Sequence, residues 1–467
     1  MKSELQERLE QVGQEHLLRF WDELNDEQQC GLVAQIEAID FSALAALYEK
    51  KDKASGINKL AQQAQAPSSV FTLGKGDAEK TITPETAIAQ GCEALDEGQV
   101  AVVLVAGGQG TRLGFDHPKG MYPVGPVSDS TLFKILAEKI VALGRRHGRP
   151  LPFCIMTSHA THAETIEYFE ANDRFGIAPE DLLVFSQGTM PAVDLESGRV
   201  LLAGKDAIAI TPDGHGGMLA AFASSGVLGQ LEQRGVKHAF YLQVDNALVD
   251  VGSPEFLGYH VLSGSEYSCQ AIEKTAPEDK VGNLVSIKGQ LKIIEYSDLP
   301  EEVGERRNED GSLTISAGSI GVHIFDIPFL RRMADAPDSL SFHIAKKKVP
   351  YLDESGEVQK SETPNAIKFE RFIFDLLPQA ENAIVVQVAP CDHFAPLKDA
   401  DGEADTDTPT WVREQLSAYA ARCLRAAGVE VAEGVPVEIS PLYALDVEEL
   451  RGKVSSGMRI DTPTYLH

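Results

Sequence analysis

Residues 99–110, QVAVVLVAGGQG, constrain the fold more than any other stretch. An unbroken apolar run, rich in β-branched valine and with no polar alternation, suits a strand buried on both faces, as in parallel sheets covered by helices. The glycines at its end let the backbone turn sharply and approach a ligand with its amide N–H groups pointing outward. Similar runs recur in LPFCIMTS, DLLVFSQ, HAFYLQVDN and AIVVQVAP, and helical patterns such as TLFKILAEKIVALGRRHG separate the early ones. This alternation predicts an α/β core around a mainly parallel sheet. Between Tyr267 and Ile324 the runs are shorter, which predicts an inserted or antiparallel part.

The flanks differ in texture. HLLRFWDEL, CGLVAQIEAI and FSALAALYEK carry apolar residues at helical spacing. AQQAQAPSSV is expected to be a linker, and TPETAIAQGCEAL a helix capped by Thr83 with Pro84 at its first position. The acidic stretch KDADGEADTDT marks a second boundary, followed by a helix and short β-like pieces. The expected organisation is a helical N-terminal domain over 1–95, a core domain over 96–396 and a small C-terminal α+β domain over 397–467.

Charge and cysteine usage narrow the partners. With 70 acidic against 42 basic residues the net charge is −28, which repels nucleic acid and anionic membranes, so neither is expected as a partner. The longest apolar run, Val100 to Ala106, is far below the roughly 20 residues of a membrane span, and the charged start MKSELQERLEQ is no signal segment. Six cysteines, no two within 30 residues of each other, make no metal-ribbon spacing and suit a reduced cytoplasmic chain.

The glycine-rich loop carries the chemistry. Gly107, Gly108 and Gly110 are followed by Arg112 and Lys119, and glycines with cations at a strand's end suit a polyphosphate. The loop lacks GxxxxGK[ST]. It also misses the dinucleotide pattern, because position 113 is Leu and IMTSHATH carries no strand-end acid. A nicotinamide-dependent dehydrogenase is therefore disfavoured, and a merely tight turn does not account for the two cations. His159 and His162 have no third ligand nearby and are expected at the polar start of a helix.

LVAGGQGTRLG…PKG resembles the signature loop of the uridylyltransferases that make UDP-sugars, with the closest likeness to the UDP-N-acetylglucosamine pyrophosphorylases. QGTMPAV (187–193), TPDGHGGM (211–218), VDN (244–246), EKTAPEDKVG (273–282), IIEYSDL (293–299), SAGS (316–319), FHIAKKKVPY (342–351), FAPLKDAD (394–401) and ISPL (439–442) are similar to further family blocks, in the family's order. The resemblance implies a Rossmann-like, GT-A-like nucleotidyltransferase core and the reaction of UTP with a sugar 1-phosphate to give a UDP-sugar and pyrophosphate.

It also implies the roles of particular residues. Arg112, Lys119 and Lys398 would neutralise phosphate, and Asp245 would hold Mg²⁺ at the nucleotide. Gly107, Gly108, Gln187 and Gly214 would contact the nucleotide, and His215, Gly282, Glu295 and Ser319 the sugar. Two places depart from the N-acetylglucosamine pattern: His215 stands for Asn, and Ser316 to Ser319 for Asn-Ala-Gly-Asn. His matches the glucose 1-phosphate pattern better, so glucose, galactose or broad sugar specificity stays open beside N-acetylglucosamine. A non-catalytic sensor of UTP or UDP-sugar is the alternative of another class, and a monomer or weak homo-oligomer is expected.

Overall fold

The structure is a computed structural model that describes residues 2–51, 60–68, 70–76, 82–336, 339–455 and 457–467. The chain folds into two compact units. One gathers 1–59, 187–218 and 337–375; the other holds 60–186, 219–336 and 376–467.

The larger unit is built on one sheet. Its strands are β1 (Val70–Thr72), β2 (Val100–Val105), β3 (Phe153–Thr157), β4 (Leu182–Ser186), β5 (His238–Gln243), β6 (Tyr267–Glu273), β7 (Gly282–Ile287), β8 (Gln290–Ile294), β9 (Ala317–Asp326) and β10 (Ile384–Gln387). They run in the order β1-β10-β6-β9-β5-β2-β3-β4, with the β7–β8 hairpin attached to β9. Along this order pairing is parallel except at β9, which is antiparallel to both β5 and β6, and the β7–β8 hairpin is antiparallel within itself and to β9. All five apolar runs are strands, and the break in pattern after Tyr267 is the hairpin and the antiparallel strand. β2 and β3 are buried almost throughout, as their unbroken apolar character requires.

The connections set the position of the site. The chain leaves β2 outward through helix Leu132–Arg146 to β3 and through His162–Ala171 to β4, then returns to β5 on the other side of β2. Strand order therefore reverses between β2 and β5, and in doubly wound sheets ligands bind at the carboxyl ends beside such a reversal. Helix Pro84–Asp96 has the expected start: Thr86 N–H donates to Thr83 Oγ1, with Pro84 in the first turn. The C-terminal end of this unit has its own small core of Leu424, Val429, Val437, Leu450 and Ile460.

Two expectations are corrected. HLLRFWDEL forms two short 3₁₀ turns, Glu15–Leu18 and Trp21–Glu23, in place of one α-helix. Its apolar residues still bury, into the smaller unit's core with Leu32, Ile36, Val193, Ile367 and Phe369. The described part of this stretch, 61–68, is docked chain rather than a free linker. Ala61 and Ala64 pack against Val285, Ile287 and Ile315, and Gln65 exchanges two backbone hydrogen bonds with Ser286. Alanine is short enough to fit under the hairpin, which composition alone does not reveal.

The smaller unit carries a three-stranded sheet of Val193–Asp194, Phe342–Lys347 and Ala366–Arg371. All six cysteines are free. Among the described residues no single helix is long and apolar enough to cross a membrane.

Candidate active site

In the larger unit the glycine loop springs from β2 and folds back on itself. Lys119 N–H donates to Gly108 O (3.0 Å) and Gly110 N–H to His117 O (2.9 Å). Among the described residues the N–H groups of Gly107 and Gly108 have no protein acceptor, and the space around Gly108 is open. Two amides are therefore free to donate to a ligand at the strand end. Arg112, on the turn Thr111–Leu113, is exposed and has no ion-pair partner among the described residues.

Asp245 lies beside this loop. Gln243 pairs with Val105, and Val244 N–H donates to Val105 O (3.1 Å), so Asp245 emerges next to the start of the glycine loop. Residue Leu397 ties three candidates together. Lys119 Nζ donates to Leu397 O (3.2 Å), Leu397 N–H donates to Asp245 O (2.9 Å), and Lys398 follows in the chain. Lys398 Nζ lies 3.5 Å from Asp407 Oδ2. Burial, opposed by Lys398 and reinforced by the charges of Asp245 and Asp399, raises the Asp407 carboxyl above its ordinary range. Asp245 and Asp399 thus lie within electrostatic reach of Asp407, and carboxylate oxygens are the donors that a hard divalent cation takes.

Sequence reading missed the residues that hold Asp245 in place. Asn246 is 3% exposed; its Nδ2 donates to His393 O (2.8 Å), while its Oδ1 accepts from Leu248 N–H (3.2 Å) and Ala395 N–H (3.1 Å). It fastens the Asp245 turn to the segment that carries Lys398. Lys139 donates to Ala247 O (2.8 Å) and Val249 O (2.7 Å), and burial pushes its ammonium down to about 8. The only signal in the chain was the amide in VDN, directly after the carboxylate.

The proposed sugar residues also converge within this unit. Gly282 pairs with Ser319 across β7 and β9, and Glu295 directly follows Ile294, which pairs with Asn283. A Cβ at Gly282 would sit 2.7 Å from Ile293 Cγ2, so this close approach requires glycine. Gly321 N–H donates to Ser319 Oγ (3.4 Å), which leaves the serine proton available. Behind them the buried Lys274 donates to Asn283 Oδ1 (2.7 Å) and Pro277 O (3.2 Å), an inner pair that sequence reading also missed.

Gln187, Gly214 and His215 belong to the smaller unit. Gln187 is buried. Gly214 has φ +84°, and a Cβ there would meet Arg371 O at 2.4 Å, so the turn is closed to any side chain. His215 stacks on Phe372 and accepts a hydrogen bond at Nδ1 from Ile373 N–H (3.3 Å). Burial, helped by the field of His343, pushes it down to about 4. The ring is neutral near pH 7, with its proton on Nε2. His162 Nδ1 pairs with Thr157 Oγ1 (2.7 Å) at a helix start, as expected.

Comparison with known proteins decides the family. The family model for UTP–glucose-1-phosphate uridylyltransferase matches residues 44–411. The chain belongs to this uridylyltransferase family. It is 37% identical over 447 residues to a UDP-N-acetylhexosamine pyrophosphorylase-like protein 1 of Xenopus tropicalis, covering 93% of this chain and 87% of that one. It is 33% identical over 459 residues to the UDP-N-acetylglucosamine pyrophosphorylase of Saccharomyces cerevisiae, covering 95% and 96%. Its fold is similar to the inhibitor-bound uridine diphosphate N-acetylglucosamine pyrophosphorylase of Trypanosoma brucei, with TM-score 0.80, 25% identity and 98% of each chain covered. The likeness drawn from the motifs of residues 104–442 therefore holds, as does the assignment to the UTP:sugar-1-phosphate uridylyltransferases.

Proposed function

We propose that this enzyme joins UTP and N-acetylglucosamine 1-phosphate to give the UDP-sugar and pyrophosphate. The observation that carries the reading is the meeting of free Gly107 and Gly108 amides, Lys119 and Asp245 where the strand order reverses. A phosphate oxygen of the sugar phosphate forms the new bond to the UTP α-phosphorus. The bond from that phosphorus to the oxygen bridging to the β-phosphorus breaks, and pyrophosphate leaves with its electron pair. The nucleophile is already an anion, so positioning and charge neutralisation supply the catalysis, without a general base.

Lys119 and Arg112 neutralise the UTP phosphates, Arg112 through its planar fork and Lys119 as a point charge. Lys398 stands on the segment that Leu397 joins to both Lys119 and Asp245, where it can offset charge on the transferred phosphate. Asp245 would hold Mg²⁺, which supplies charge neutralisation between phosphate oxygens. Gly282, Glu295 and Ser319 take the sugar hydroxyls. Parts for Gln187 and Gly214 at the nucleotide and for His215 at the sugar rest on the resemblance. A neutral His215 can donate a hydrogen bond from Nε2 but adds no positive charge. We place the reaction in the cytoplasm and treat the chain as a monomer or weak homo-oligomer.

One observation favours a second reading. The short hydroxyl of Ser319 at the Gly282 pairing suits glucose or galactose 1-phosphate as acceptor. Pyrophosphate release from UTP and Mg²⁺ with N-acetylglucosamine, N-acetylgalactosamine, glucose and galactose 1-phosphates separates the two. Fastest release with N-acetylglucosamine 1-phosphate is expected. Release only with glucose or galactose 1-phosphate replaces it with the second reading, and UTP binding without release makes the chain a sensor.

A further inference from the structure

At the other end of β5 from Asp245, three side chains that the reaction does not use point at one spot. His238 opens β5, Asp326 closes the antiparallel β9, and His260 lies in helix Pro254–Leu262. His238 Nδ1 is 2.8 Å and His260 Nε2 3.0 Å from the same oxygen, Asp326 Oδ1. The three ligand atoms all lie within 4.8 Å of one another. Asp326 is the N-cap of helix Ile327–Ala334, yet its carboxylate makes no capping bond. An aspartate at this position usually caps the helix, so the two imidazoles hold it elsewhere.

The proton bookkeeping is informative. Ser268 Oγ donates to Ser265 Oγ (3.0 Å), and the same hydroxyl is 2.7 Å from His260 Nδ1. A hydroxyl has one proton, so Ser268 accepts from an Nδ1–H of His260. A neutral His260 then turns its Nε2 lone pair toward the lone pairs of Asp326. That contact is repulsive unless a proton or a metal cation stands between them.

We propose that His238 Nδ1, His260 Nε2 and Asp326 form a structural site for a divalent transition metal of the zinc type. Two imidazole nitrogens and one carboxylate oxygen suit Zn²⁺, whereas Mg²⁺ prefers oxygen alone. Ser268 is the outer partner that fixes the His260 tautomer. The Asp326 side chain is 31% exposed, which leaves a path for the ion and room for water at a fourth position. His238 and Asp245 stand at opposite ends of the strand His238–Gln243, roughly 20 Å apart, so the ion is remote from the transferred phosphate. It would pin β5, β9 and the 254–262 helix together at the sheet's far end.

The test uses the full chain, stripped with a chelator and titrated with Zn²⁺ and Co²⁺. One Zn²⁺ per chain is expected at this site, with a rise in Tm. Bound Co²⁺ should show visible bands without a thiolate charge-transfer band, which separates this site from the exposed Cys30 and Cys391. Because His260 is wholly buried and its loss could unfold the chain, the variants are His238→Gln and Asp326→Asn. Each should weaken Zn²⁺ at least about 100-fold and abolish the Tm rise, while uridylyl transfer with Mg²⁺ is unchanged. Equal zinc binding by wild type and both variants, or no stoichiometric binding by the wild type, overturns the proposal and leaves a protonated His–Asp–His network.

Discussion

Replacing Asn246 by Ala tests how the site is held. The amide is 3% exposed and serves three backbone groups: the N–H of Leu248, the N–H of Ala395 and the carbonyl of His393. Ala leaves all three without a protein partner. An orphaned buried group costs about 1–3 kcal/mol, and some water can enter the space, so roughly 3–5 kcal/mol of stability should be lost. The larger effect is on turnover. Asn246 ties the Asp245 turn to the segment of Leu397 and Lys398, and a misplacement of about 1 Å at a positioned group can cost ~10²-fold in rate. Asn246→Asp keeps both acceptor bonds but sets an oxygen against His393 O, so it should fall between the two. The assays are the urea midpoint and steady-state pyrophosphate release, with Mg²⁺ and sugar phosphate varied separately. A variant that loses stability yet keeps the wild-type kcat and Mg²⁺ dependence would refute the positioning argument. One that loses under about 1 kcal/mol would refute the hydrogen-bond accounting.

Other outcomes follow from the same geometry. Lys119→Ala and Asp245→Ala should each cut kcat by roughly 10²–10³-fold with Tm nearly unchanged, and chelation of Mg²⁺ should abolish turnover; near-normal turnover removes that residue from the mechanism. Gly282→Ala forces a Cβ against Ile293 and should raise KM for the sugar phosphate while KM for UTP holds; an unchanged KM for both would place the sugar elsewhere. His215 sits near 4 in the folded chain against about 6.5 unfolded, so the unfolded state binds more protons between those values. Its contribution is intact above about pH 6.5 and is lost as pH falls toward 4, by up to about 3 kcal/mol. Denaturation of wild type and His215→Asn at pH 7 and pH 4.5 checks this: the variant should lose less on acidification, and equal losses would contradict a neutral buried ring.

Local features of the chain were legible without a structure. The unbroken apolar runs are strands, and Thr83 with Pro84 marks a helix start. Each depends on neighbours a few residues apart, which is the range over which backbone preference and side-chain periodicity act. The antiparallel setting of β9 and the docking of Ala61 and Ala64 were beyond that range. So was the gathering of 1–59, 187–218 and 337–375 into one unit. The same holds for Leu397 joining Lys119 to Asp245, for His215 made neutral between Phe372 and Phe374, and for His238, His260 and Asp326 meeting at one point. These arise from residues tens to hundreds of positions apart, brought together by burial and hydrogen-bond satisfaction across the whole fold. The sequence determined which elements exist and what chemistry their ends can perform; tertiary structure decided which ends meet and in what charge state.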